Sequence, residues 1–162
     1  MIFGMTPLTF IHVLLSLVGI FAGAVVLLGL LGAKPLEGWT KLFLSTTVLT
    51  SVTGFFFPYH KVTPGIIVGV ISLVALAVAI VARYPKQMAG SWRRIYVIFA
   101  MLSFYLNVFV LVAQLFMKVP ALHALAPTGS EPPFAIAQVV VLIAFLALSI
   151  LAAVKFKQPR PN

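Results

Sequence analysis

The sequence predicts an all-α, polytopic membrane protein: five helices crossing a bilayer as one bundle, with the N-terminus outside and the C-terminus cytoplasmic. Three observations lead there. Hydrophobic residues make up 62% of the 162-residue chain and charged residues only 8%, too few charges to cover a soluble domain of this size. Mean hydropathy is +1.18, and it is concentrated in continuous runs close to the roughly 20 residues that span hydrocarbon as a helix. The cations also segregate to one side of that threading.

The first run covers about residues 7–31. Thr6 is placed to cap it and Pro7 to occupy the first helical position; Gly32, Lys34 and Pro35 end it. The second covers about 40–57 and stops at Pro58. The third opens on Thr63-Pro64, again a cap followed by proline, and covers 64–83 before Tyr84-Pro85. The fourth covers about 95–117 and meets Lys118 and Pro120. The fifth covers about 134–154, entered through Pro132-Pro133 and followed by Lys155 and Lys157. A β-barrel does not fit, because the runs lack period-two alternation, and a bilayer leaves only helices for such segments. Met1 to Pro7 carries no Lys or Arg, so the first run reads as a retained span rather than a secretory signal, despite Ala22-Gly23-Ala24. The whole chain reads as a single integral membrane domain without soluble domains or internal repeats.

With the N-terminus outside, Lys34, Lys41, Arg83, Lys86, Arg93, Arg94, Lys155, Lys157 and Arg160 face the cytoplasm, leaving only Lys61 and Lys118 outside. If the serine- and threonine-rich second run did not cross, Lys34 and Lys41 would join the outer group and the asymmetry would weaken. Positive-inside bias favours the five-span threading. These basic residues sit at helix ends, where they meet anionic headgroups of the inner leaflet, and Trp39 and Trp92 flank them as interfacial anchors. The pI near 10.4 is therefore a membrane signal, and with no continuous basic face nucleic acid is not an expected partner. The chain has no cysteine, which removes thiol and disulfide chemistry.

The residues that carry chemistry are few. All three histidines fall on the outer side. His12 shares a helix face with Ser16, Gly19 and Gly23, and Gly19-x-x-x-Gly23 marks a face that packs against another helix, so His12 is expected to point into the bundle. His12 and His60, at neighbouring ends of antiparallel helices, are the candidates for sharing a haem iron or a metal ion through neutral imidazole. Against this, no metal-type spacing and no nearby carboxylate accompany them, and His12 bonded to a neighbouring hydroxyl is the plainer alternative. His123 is expected to be solvated. Thr46, Thr50 and Thr53 form a stripe on the second helix, with Thr47 and Ser51 beside it. Ser103, Asn107 and Gln114 form one on the fourth, and Gln138 on the fifth is placed to join them. These stripes are candidates for lining a pocket for a small ligand, a quinone or a lipid headgroup; hydroxyls bonded to their own helix are the competing expectation. Gly65-x-x-x-Gly69 makes the third helix a packing scaffold. The 118–133 connection fits either a half-buried lid on the outer face or a plain surface connection, with Glu131 stabilising the start of the last helix through its charge.

Glu37 and Glu131, the only acids, lie outside the spans, whereas proton relays and cation-coupled transport place a carboxylate at mid-membrane. No nucleophile, base and orienting group occur together, and no glycine-rich phosphate loop is present. The stretches Leu49 to Pro58, Trp92 to Tyr96, Leu106 to Val110 and Ala126 to Phe134 resemble small inner-membrane proteins of proteobacteria that are carried as uncharacterised. That resemblance implies a multi-pass protein of the bacterial inner membrane and brings no catalytic residues. The leading expectation is a non-enzymatic accessory or assembly subunit of a larger membrane complex, or a homo-oligomer, acting through its Gly-x-x-x-Gly faces. A haem- or metal-binding redox protein using His12 and His60, and a lipid- or quinone-binding protein, are the alternatives.

Overall fold

Thr6 and Thr63 start two helices as their side chains dictate: each hydroxyl accepts from the backbone N–H three residues on, Thr9 at 3.2 Å and Ile66 at 3.4 Å, with proline at the first helical position. A computed structural model of the protein describes residues 1–157; Arg160, counted above among the inner cations, lies outside them. The described residues form six helices and no strand: α1 Pro7–Leu31, α2 Glu37–Gly54, α3 Pro64–Arg83, α4 Trp92–Lys118, α5 Pro120–Leu125 and α6 Pro132–Lys155. Compared with the sequence expectation, α2 begins three residues earlier and ends at Gly54. Phe55 and Phe56 form a turn there, and Pro58 disfavours a helical residue before it.

Four helices, α1, α3, α4 and α6, are long and apolar enough to cross a membrane. The second is not in that set, because Glu37 and Lys41 together with its serines and threonines lower its hydropathy. It nevertheless lies antiparallel along α1 over its whole length. Leu36 sits on Gly29 at one end, the Trp39 ring is 5.8 Å from Phe21, Thr46 and Thr47 face Gly19, and Thr53 reaches His12 at the other end. Its hydroxyls are satisfied locally. Thr46, Thr47, Thr50 and Thr53 donate to the carbonyls of Leu42, Phe43, Thr46 and Leu49 at 2.6–2.8 Å, which lets a polar helix enter an apolar bundle.

Both glycine motifs are filled within the chain. A Cβ on Gly23 would lie 2.8 Å from the Phe104 ring, and one on Gly69 would lie 3.0 Å from Phe55. Gly19 faces Thr46, Thr47 and Asn107. Phe104 in turn stacks edge-on against Phe43 at 6.0 Å and Phe145 at 4.9 Å, joining α2, α4 and α6. Gly23 and Gly69 thus each meet an aromatic ring of the same chain. What remains uncovered is α6, which buries only Gln138 and Ala152 and exposes aliphatic side chains along its length.

At the end where α1 meets α2, a buried cation holds the turn. The Arg83 side chain is 2% exposed and forms an ion pair with Glu37. It also donates to the Pro35 carbonyl at 3.3 Å and lies over the Tyr96 ring at 5.0 Å. Thr40 donates to the same carbonyl at 3.1 Å. Leu36 is held in the left-handed region at φ 42°, a strained conformation for leucine that persists because both neighbours of the turn are pinned.

The 118–133 connection contains α5, none of whose residues is buried. The Glu131 carboxylate turns back onto its own loop, accepting from the Thr128 hydroxyl at 2.8 Å and from the Thr128 and Ser130 N–H groups at 3.0 and 3.1 Å. These bonds, the Thr128 hydroxyl foremost, pull its pKa down to about 2. Glu131 is the N-cap residue of α6 but makes no side-chain cap bond to that helix.

Candidate functional site

The first four helices line a half-open cavity of about 600 Å³ at the end of the bundle where α1 and α3 begin and α2 and α4 finish. Each helix supplies polar groups to an otherwise apolar wall: His12 and Ser16 from α1, Thr47, Thr50 and Ser51 from α2, Ser72 from α3, and Asn107, Gln114 and Lys118 from α4. Phe55, Phe57 and Tyr59, from the α2–α3 connection, line the same space. A volume in this range, mostly apolar with a few convergent polar groups, is typical of a small-molecule site.

Hydrogen bonding sorts the polar groups by what they still offer. Thr50 and Thr47 have given their protons to helix carbonyls, so toward the cavity they can only accept. Ser51 donates to Ser72 at 3.2 Å. Ser16 donates to Asn107 Oδ1 at 2.8 Å, which fixes the amide and leaves its Nδ2 with a single long contact, 3.5 Å to the Ser16 carbonyl. Asn107 is only 8% exposed, and its Nδ2 lies against Gly19 of α1.

The imidazole of His12 has a defined orientation. Its Nδ1 lies 2.9 Å from Thr53 Oγ1, whose own proton is within reach of the Leu49 and Thr50 carbonyls at 2.8 and 3.1 Å. With its proton given to these helix carbonyls, the Thr53 oxygen accepts from Nδ1–H, the tautomer this arrangement favours. In this tautomer Nε2 carries a lone pair, and among the described residues no group donates to it. The ring packs edge-on against Phe57 at 5.1 Å, and Phe57 against Tyr59 at 6.4 Å. The hydroxyl-bonded alternative for His12 is thus the one the geometry realises, with the second nitrogen left over.

No acid lies in the walls. Glu37 belongs to the Arg83 turn at the opposite end of α2, and Glu131 to its own loop. Among the described residues Lys118 is consequently the one formal charge in the wall. A cationic ligand would meet repulsion with no compensating charge, while neutral or anionic ligands are admitted.

Several sequence candidates fall elsewhere. Thr46 faces Gly19 in the helix interface, Thr53 positions His12 without lining the space, and Ser103 is fully buried and donates to the Phe99 carbonyl at 2.9 Å. Gln138 donates to the Phe109 carbonyl at 3.1 Å from α6 and stays outside the cavity. His60 is exposed and is not among the wall residues, although its neighbour Tyr59 is. Among the described residues no three of His, Cys, Asp and Glu gather in a group that could hold a metal ion. Ser72 and Lys118 were missed by sequence reasoning. Ser72 is a lone hydroxyl in an aliphatic helix, and Lys118 resembled an ordinary flanking charge.

No family model, no curated protein and no solved structure matches the chain.

Proposed function

We propose that this protein is a five-span membrane protein whose outer-end cavity binds a neutral or anionic amphiphile, a lipid or an isoprenoid quinone-like molecule. The observation that carries the reading is the cavity itself: about 600 Å³ between four helices, with an unspent His12 nitrogen, a cation at Lys118 and no acid in its walls. Apolar walls suit the body of an amphiphile and the polar groups suit its head. A haem or metal held by His12 and His60 is less favoured, because His60 is absent from the walls. A role as an accessory or assembly subunit would draw on α6, whose exposed apolar face is equally suited to lipid.

The fifth crossing is α2, supported by its antiparallel course beside α1 and by the cation asymmetry. The bacterial inner membrane follows from the resemblance and from the basic flanks. Because the chain has no cysteine, topology is directly testable. In intact cells an impermeant maleimide is expected to label Val62→Cys and to spare Gly38→Cys, exposed positions at opposite ends of α2; equal labelling of both would overturn the five-span threading.

Ligand charge tests the cavity. In nanodiscs, nitroxide-labelled alkyl chains of one length ending in a carboxylate, an alcohol or a quaternary ammonium are compared by electron paramagnetic resonance. The carboxylate and the alcohol should show a motionally restricted fraction that the ammonium lacks. Lys118→Gln should reduce the advantage of the carboxylate over the alcohol about fivefold, the scale of one partly exposed charge contact. Three equal restricted fractions would contradict the reading.

A further inference from the structure

We infer that the cavity selects an amphiphile whose head carries a phenolic hydroxyl, a quinol in preference to its quinone, with the O–H donated to His12 Nε2. The inference rests on the cavity reading above and names the head group that reading leaves open.

Among the described residues the walls offer one nitrogen acceptor to which nothing donates. Nδ1–H of His12 is committed to Thr53, and Thr53 has its own proton committed to α2 carbonyls. The imidazole is therefore held with a lone pair on Nε2, and reversing the tautomer would require Thr53 to withdraw its proton from the α2 carbonyls and give it to Nδ1. A lone pair in apolar surroundings is costly to leave unmatched. It is matched by an O–H group and opposed by a carbonyl oxygen, which brings only a second lone pair. The oxidised and reduced forms of one quinone differ in this respect and hardly at all in shape.

The neighbours of His12 specify the ring. Phe57 meets the imidazole edge-on at 5.1 Å, Tyr59 meets Phe57 at 6.4 Å, and both line the cavity with Phe55. An aromatic head can pack among these edges and faces at normal ring separations, whereas an aliphatic alcohol gains the hydrogen bond alone. Val13, Leu17, Val68 and Leu111 form an apolar part of the wall that suits an alkyl or isoprenoid tail.

The experiment is an anaerobic equilibrium titration of the protein in nanodiscs with a short-tailed benzoquinol and, separately, with its quinone. The quinol should bind about tenfold more tightly, the scale of one hydrogen bond that only the quinol can make. His12→Phe keeps an aromatic ring against Phe57 and removes the acceptor; it should abolish the tenfold preference of quinol over quinone. His12→Gln, which restores an acceptor, should recover part of it. Equal affinities for the two forms in the unmodified protein, or a preference that survives His12→Phe, would overturn the inference. Labelled alkyl chains that are still held in the cavity in that case would leave the amphiphile reading standing, whereas chains held nowhere would remove both.

Discussion

Glu37→Ala is expected to destabilise the protein by about 2 kcal/mol, and Glu37→Ala combined with Arg83→Met is expected to restore most of that loss. The reason is the asymmetry between the two partners. The Arg83 side chain is 2% exposed and that of Glu37 53% exposed, so removing the acid leaves a buried guanidinium facing a single carbonyl and two aromatic rings. Desolvating a charge without its counter-ion costs far more than losing the pair altogether. The magnitude stays below that for a wholly buried pair because water reaches Glu37. Arg83→Met keeps most of the volume against Tyr96 and carries no charge. Thermal unfolding in a fixed detergent provides the comparison. A double variant as unstable as Glu37→Ala alone would mean that the ion pair does not hold the α1–α2 turn.

Gly29→Ala should cost a comparable amount, about 2 kcal/mol, through overpacking. A Cβ there would lie 2.5 Å from Leu36 Cδ1 and 2.9 Å from the Lys34 carbonyl oxygen. The side-chain clash could relax by rotation, but the carbonyl belongs to a turn that cannot yield freely. The Lys34 N–H donates to the Gly29 carbonyl at 2.7 Å, and Pro35 is tied to Arg83 and Thr40. Gly38 provides the internal control: it is the second residue of α2, and a Cβ added there would meet nothing within 4 Å. Gly38→Ala should therefore be neutral or stabilise by about 0.5 kcal/mol, through the lower entropy of the unfolded chain. Equal melting points for the two alanine variants would show that the turn is loosely packed.

These two substitutions fall in a region whose importance was hidden in the sequence. Glu37 and Arg83 stand 46 positions apart, each at the edge of an apolar run, where a charge ordinarily faces water and headgroups. Only the approach of the α1–α2 turn to the end of α3 makes them partners, and no local pattern encodes that approach. The helices themselves were legible because proline, threonine caps and apolar runs are local signals; α3 falls at the expected residues 64–83. The short α5 was not, since six residues carry too little periodicity to separate a helix from a loop.

The candidate site divides along the same line. Asn107 and Gln114 share a helix face by spacing alone, and both line the cavity. Ser103 lies on that face too, yet one turn deeper it is sealed among neighbours and bonds its own helix. His12 was expected to face inward from the small residues on its side of α1, and it does. Its Thr53 partner, 41 positions away, belongs to the antiparallel pairing of α1 and α2. Gln138 turned away because α6 packs on α4 beside Phe109 rather than around the cavity. Spacing defines faces; which faces meet depends on the order of helices around the bundle.

The central claim is that the space between α1, α2, α3 and α4 is occupied by a small amphiphile, and native mass spectrometry of gently extracted protein tests it most directly. Leu111 lines the cavity, and Leu111→Trp would fill part of it from α4. The unmodified protein should carry a bound organic mass that survives mild activation, and Leu111→Trp should lose most of it while retaining helical content by circular dichroism. The same adduct, at the same occupancy, on both proteins would contradict the account.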